Sequence, residues 1–200
     1  EIGKDLQNQL KDNFLLASKG ADAIIISDYN YGVANAEILK LAKIISAEKN
    51  IPLLIDSRFR LEIFTGATSA TPNQEEVEQI LGKDFTIADC ENLREKLKLE
   101  SLLVTRGNKG MLLIEKNKKP LEIEVIGSSE PVDVTGAGDT VIATYALALA
   151  SDLNFADSAN LANHAGGIVV MKKGTASVNL SELAESVKAD AKFQISKSVS

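Results

Sequence analysis

Cysteine and histidine are almost missing from this chain of 200 residues: Cys90 and His164 stand alone. One thiol permits no internal disulfide, and one imidazole leaves too few ligands for a zinc cluster. Basic residues are also short, 22 against 28 acidic ones, giving a net charge of −6. That balance argues against a general nucleic-acid or anionic-membrane binder, which needs a basic face. Any phosphate site must then be local, built from backbone N–H groups and a few chosen cations. No apolar run reaches membrane-spanning length, and no secretory signal is visible. The chain also lacks an initiator Met and opens EIGKDLQ, mid-helix in character, so a fragment or a processed start is expected. The expected compartment is the cytoplasm, with small molecules as partners and neither nucleic acid nor membrane.

What is present is ordinary for a globular protein: 44% apolar and 25% charged residues. No internal repeat, low-complexity block or linker divides residues 1–200, so a single domain is expected. Ile2, Leu6, Leu10, Phe14 and Leu15 recur at helical spacing and predict a helix ending near Lys19, capped by Gly20. ADAIIIS reads as a buried parallel strand. A helix from Asn35 to Lys49 follows, with Ile38, Leu41, Ile44 and Ile45 inward, then the strand IPLLID. A short strand near Thr68 to Thr71 leads to the helix QEEVEQIL, stopped by Gly82. A further helix is expected from Asp89 to Lys98, with Asp89 as its N-cap. SLLVTRG and GMLLIEK read as strands paired across Asn108-Lys109, and PLEIEVI as a third. Helices over ADSANLANHAGGIVVM and SELAESVKADA come last, before a polar, loose tail KFQISKSVS.

This order predicts an α/β fold, a mostly parallel sheet with helices on both faces. Ligands of such sheets lie beyond the carboxyl ends of the strands. The loops to watch are therefore SDYNYG, DSRFR, TPNQEE, TRGNKG and DVTGAGDT. By that topology Asp28, Asp56 and Arg58 are candidate substrate or phosphate contacts.

The stretch PVDVTGAGDT, just before an apolar helix, carries the most chemistry. Gly136 and Gly138 allow a tight turn and close approach of an anion to the backbone. The helix behind them offers unpaired N–H groups and the positive end of its dipole. Gly136, Ala137, Gly138 and the N–H of Asp139 can thus form an anion hole, with the Asp139 carboxylate beside it. A base next to a phosphate cradle suits phosphoryl transfer to an alcohol. The ten residues alone leave a second reading open, in which Asp139 only caps a helix. Neither GxxxxGK[ST] nor a complete GxGxxG is present.

DVTGAGDT resembles the C-terminal signature of the ribokinase-like (PfkB) carbohydrate kinases. TPNQEEVE resembles their N-x-x-E segment. VTRGNKGMLL resembles the strand-turn-strand that borders the nucleotide, and ANHAGGIVVMKKGTA the helix and loop over the adenine. Within that family SDYNYG, LLIDSR and VVMKKGTASV look most like the kinases of D-glycero-D-manno-heptose 7-phosphate, which phosphorylate its anomeric hydroxyl toward ADP-heptose. The resemblance runs from Ala21 to Glu182. It implies the three-layer ribokinase-like fold, Asp139 as catalytic base, and Gly136, Ala137 and Gly138 as the anion hole. Asn73, Gln74, Glu75 and Glu76 would sit by the phosphates of ATP, with Glu76 organising Mg²⁺ through water. Thr105 and Gly107 would line the triphosphate and Asn163 the adenine. Asp133 and Thr135 would help hold a monovalent cation. On local sequence, Glu76 also reads as an acid balancing its helix dipole, and Asn163 as a water-facing amide. His164 is expected to pack without chemistry, Lys172 and Lys173 to be solvated, and Cys90 to be incidental.

Relatives in this family begin with a segment holding the first strands, a β lid and a Gly-Gly sugar motif, none of which this chain shows. The implied molecule is the nucleotide-binding and catalytic portion of a sugar kinase, a homodimer in its full-length form. Such a portion leaves a sheet edge open, which predicts self-association. Two rivals stand beside it: a nucleotide- or partner-binding module without catalysis, and a kinase for another acceptor such as ribose, a fructose phosphate or a nucleoside.

Overall fold

The computed structural model describes residues 3–127 and 131–190. Its centre is a six-stranded sheet whose spatial order follows the sequence, β1 to β6. The strands are β1 (Ile24–Asp28), β2 (Leu53–Ser57), β3 (Ser69–Ala70), β4 (Ser101–Thr105), β5 (Met111–Glu115) and β6 (Leu121–Ile123). The pairs β1–β2, β2–β3 and β3–β4 are parallel. The pairs β4–β5 and β5–β6 are antiparallel. Parallel neighbours need crossovers, and helices make two of them: α2 (Ala36–Lys49) between β1 and β2, and α3 (Gln74–Leu81) with α4 (Ile87–Lys96) between β3 and β4. The helix α1 (Lys4–Ala17) precedes the sheet, and α5 (Ala137–Ala150), α6 (Phe155–Val169) and α7 (Leu180–Ala189) follow it.

Burial divides the molecule into layers. On one face Leu39, Ala42 and Ile45 of α2, Val77 of α3, and Cys90 and Leu93 of α4 pack against Ile24, Ile26, Ile55, Leu102, Val104 and Ile114. On the other, Val141, Ile142 and Tyr145 of α5 and Ala159 and Ala162 of α6 pack against Leu54, Leu103, Met111 and Leu113. Both faces of β4 and β5 are therefore buried, and their apolar runs SLLVT and MLLIE are the expected signature of such strands. Tyr145 is enclosed at the sheet centre, where its hydroxyl meets Ser101 Oγ at 3.0 Å. Ser101 Oγ in turn donates to Ser69 Oγ at 2.8 Å. Among the described residues no helix is long and apolar enough to cross a membrane.

Several boundaries and faces differ from the sequence expectation. α4 is capped by Thr86, whose Oγ1 accepts from Asp89 N while the Asp89 carboxylate reaches back to Thr86 N. Asp89 is thus the third residue of a capping box and not the cap. α1 ends at Ala17 in a short 3₁₀ turn over Ser18–Gly20, so Ser18 and not Gly20 caps it. α2 turns Ile38, Leu39, Ala42 and Ile45 inward, while Ile44 is 43% exposed. β1 is an edge strand with alternating burial, and Ile25 is exposed. The sequence KFQISKSVS lies outside the described residues.

Candidate active site

The GAG turn is built by one left-handed residue. Gly136 has φ +78° and caps α5, a conformation that a Cβ strains. Asp139 falls in the first turn of the helix, exposed, where the dipole favours an anion. The Ala137 N–H is spent on Val134 O at 3.2 Å, and the first in-register helical bond runs from Thr140 N to Gly136 O at 3.0 Å. Gly138 and Asp139 therefore carry the N–H groups left over at the helix mouth. Of the expected anion hole, Ala137 contributes its position and not its N–H. A Cβ built at Gly138 meets no protein atom within 4 Å. Packing and φ therefore do not demand glycine there, and the space over the turn is open.

An apolar cleft of ≈ 200 Å³ opens beside this turn. Its walls come from Thr105, Gly107, Asn108, Gly110 and Met111 of the β4–β5 hairpin, Val125 and Ile126 after β6, Ala137, Gly138 and Val141 of α5, and Asn163, Gly166 and Gly167 of α6. Close backbone approach shapes it. A Cβ on Gly167 would lie 2.5 Å from Ile126 O, and one on Gly110 1.9 Å from Ile123 O. Asn163 is buried, and its Nδ2 donates to Glu124 O at 2.7 Å, tying α6 to the chain leaving β6. The water-facing reading of Asn163 is thereby excluded. The cleft's lining is mostly apolar, with Thr105, Asn108 and Asn163 among the polar residues.

The N-terminus of α3 abuts the hairpin. Thr105 N donates to Pro72 O at 3.0 Å, and Asn73 bridges to Thr105 as the last parallel pair. Asn73 Oδ1 accepts from Glu76 N, and Glu76 Oε2 accepts from Asn73 N, both at 2.9 Å. Both side chains thus have a capping job. Burial pushes the Glu76 carboxyl up, opposed by the Asn73 N–H and helped by the negative charge of Asp56. Asp56, at the end of β2, is also pushed up, first by burial and then by Asp139. Tyr29 closes the group, its hydroxyl donating to Asp139 Oδ1 at 3.4 Å. Arg58 is exposed, its guanidinium 5.7 Å from the Phe59 ring centre, and its charge is felt at Glu76.

The structure thus brings Thr105, Gly107, Ala137, Gly138 and Asn163 to one cleft. Asp139 lies at its end, and Asn73 and Glu76 on the neighbouring helix. Gln74 and Glu75 share that first turn, but Gln74 Nε2 is turned to Glu78 Oε1 at 2.8 Å. Asp133 lies on the segment entering the turn, where it accepts from Thr135 N and Gly174 N at 2.9 Å each. Asp28 is engaged within the protein. It is buried and holds Arg60 through Nε and Nη2 at 3.1 and 2.7 Å, with Ser57 Oγ at 2.9 Å. Burial alone would raise its carboxyl, yet these donors hold it below the usual range. His164 faces away from the cleft, with Nδ1 2.8 Å from Ser186 Oγ and Nε2 3.5 Å from Asp190 of the α7 end. Lys172 pairs with Glu182 at 2.7 Å, whereas Lys173 is exposed. Sequence reasoning missed Arg60 and Tyr29, whose partners are 32 and 110 positions away. Among the described residues no three or more of His, Cys, Asp and Glu converge as a metal cage.

Comparison with known proteins adds the lineage. The model of the pfkB family carbohydrate kinases matches residues 3–182. The bifunctional protein HldE of Haemophilus influenzae is 40% identical over 191 residues, which is 93% of this chain and 39% of that protein. HldE of Nitrosococcus oceani is 39% identical over 86% of the chain and 37% of its own length. The chain therefore spans about two fifths of these curated relatives. Among solved structures, Arabidopsis thaliana ribokinase complexed with ribose and ATP superposes with a TM-score of 0.76 at 21% identity, over 92% of this chain and 59% of that one. Escherichia coli phosphofructokinase-2 in complex with potassium gives 0.76 at 19%, over 92% and 62%. At such identities these two attest the shared fold.

Proposed function

The chain belongs to the pfkB family of carbohydrate kinases, and from that premise we propose that it carries the nucleotide-binding and catalytic portion of an ATP-dependent sugar kinase. The acceptor we propose is D-glycero-D-manno-heptose 7-phosphate, phosphorylated on its anomeric hydroxyl. The supporting observation for catalysis is the adjacency of Gly138, which lines the apolar cleft, to Asp139 in the same helix turn. For the acceptor it is the kinship with the HldE proteins.

In this reading the adenine enters the slot between Asn163, Gly166 and Gly167 and the β4–β5 hairpin, and the triphosphate runs over Thr105 and Gly107 toward the GAG turn. Asp139 accepts the proton of the acceptor hydroxyl. The freed oxygen forms a bond to the γ-phosphorus while the bond to the ADP oxygen breaks. The N–H groups of Gly138 and Asp139 and the dipole of α5 hold the charge on the moving phosphoryl group. Proton removal and charge stabilisation thus occur within one residue of each other. Glu76 and the α3 N-terminus fit hydrated Mg²⁺, since its carboxyl is half-buried, anchored through one oxygen and otherwise free to face water. When bound, the ion neutralises phosphate oxygens. A monovalent cation belongs beside Asp133 and Thr135, whose loop is tied to the 170–174 segment through Gly174.

The test is ATP turnover with Mg²⁺ against a panel of sugars and sugar phosphates, using the protein in its full natural length. Turnover restricted to the heptose 7-phosphate supports the acceptor proposed. Preference for ribose or a fructose phosphate keeps the kinase and replaces the acceptor. ATP binding without turnover on any acceptor favours a binding module.

A further inference from the structure

We propose that Tyr29 is a positioning residue for Asp139: its phenol fixes one carboxylate oxygen and leaves the other to take the acceptor's proton. The inference rests on the reading of Asp139 as base and adds a partner to it. Three elements meet at the carboxyl end of the sheet. Tyr29 directly follows β1, Asp56 lies near the end of β2, and Asp139 starts α5. Tyr29 spans the gap, donating to Asp139 Oδ1 at 3.4 Å across 110 positions.

The chemistry of the neighbours keeps the phenol a donor. Asp139 foremost, then burial, then Asp56 push its ionisation above the ordinary tyrosine value. The facing groups are few. Asp139 and Asp56 are the acids beside it, Ser27 is its hydroxyl neighbour, and Asp28 behind Asp56 is neutralised by Arg60. Glu76 and Arg58 lie beyond Asp56. A neutral donor between two carboxylates therefore has one role open to it, which is to hydrogen-bond an anion. A bond at 3.4 Å is long for O–H···O, and such contacts tighten when the reacting complex forms. Tyr29 is about half exposed and absent from the walls of the apolar cleft, so its loss should leave nucleotide binding alone.

The experiment compares wild type, Tyr29→Phe and Asp139→Asn in the full-length protein, reading kcat, KM for ATP and the thermal midpoint. Tyr29→Phe is expected to lower kcat by roughly tenfold, with KM for ATP and the midpoint unchanged. A fall in kcat with KM for ATP held is the split expected of a group that acts on the base and not on the nucleotide. An unchanged kcat, with Asp139→Asn inactive, would overturn the role of Tyr29 and leave the base intact. A lowered midpoint, with kcat and KM for ATP changing together, would make Tyr29 merely structural. An active Asp139→Asn would overturn the reading of the base itself.

Discussion

The two ends of the site are built by opposite rules. The proposed nucleotide end is apolar and close-packed: α6 approaches the β6 exit through Gly167, and Asn163 spends its amide on Glu124 O. The proposed acceptor end is charged: Tyr29 follows β1, Asp56 lies in β2, and Glu76 and Asp139 stand in the first turns of α3 and α5. Backbone geometry specifies the first end and long-range electrostatics the second. Substitutions at the first should act through packing and binding, and those at the second through the chemical step.

The largest effect is expected at the charged end. Asp139→Asn should lower turnover by roughly 10²–10⁴-fold while preserving the fold, since the amide keeps the shape and loses the base. At the apolar end, Gly110→Ala should destabilise the protein by roughly 3 kcal/mol, because its Cβ collides with Ile123 O at a backbone conformation reserved for glycine. Thermal unfolding measures it, and an unchanged midpoint would contradict the close approach. Gly138→Ala divides the two effects. Its Cβ meets only open space, so stability should hold or rise slightly. Turnover at limiting ATP should fall at least about tenfold as the methyl fills the anion space.

The smallest effect lies outside the site. Burial keeps the His164 imidazole below its ordinary value, with Asp190 partly offsetting this. The folded chain then binds fewer protons than the unfolded one below about pH 6.5. Stability should therefore decline as pH falls through that range and level off below the depressed native value. A His164→Asn variant should lack this component of the decline, and an identical pH dependence in both proteins would contradict it.

Local signals were legible in the sequence. The span of α3, the GAG turn and the β4–β5 pair could be read because capping residues, glycines and buried-strand runs act over a few positions. The phase of α2 was not, since Ile38, Leu39, Leu41, Ala42 and Ile44 crowd two turns before Ile45, and the sheet selects Leu39 and Ala42 over Leu41 and Ile44. Thr86 was passed over for Asp89 because each can cap, and the reciprocal bonds decide between them. The sequence reading placed Thr105, Gly107, Ala137, Gly138 and Asn163 together, and the structure brings them to one cleft. Arg60 on Asp28 and Tyr29 on Asp139 were not legible, because their contacts exist only once the strands are laid side by side.

The most direct measurement is nucleotide affinity beside turnover for Asp139→Asn, by calorimetry and by a coupled ADP assay on the same preparation. The account predicts ATP affinity within about twofold of wild type and turnover lost. Turnover retained with the carboxylate gone would contradict it.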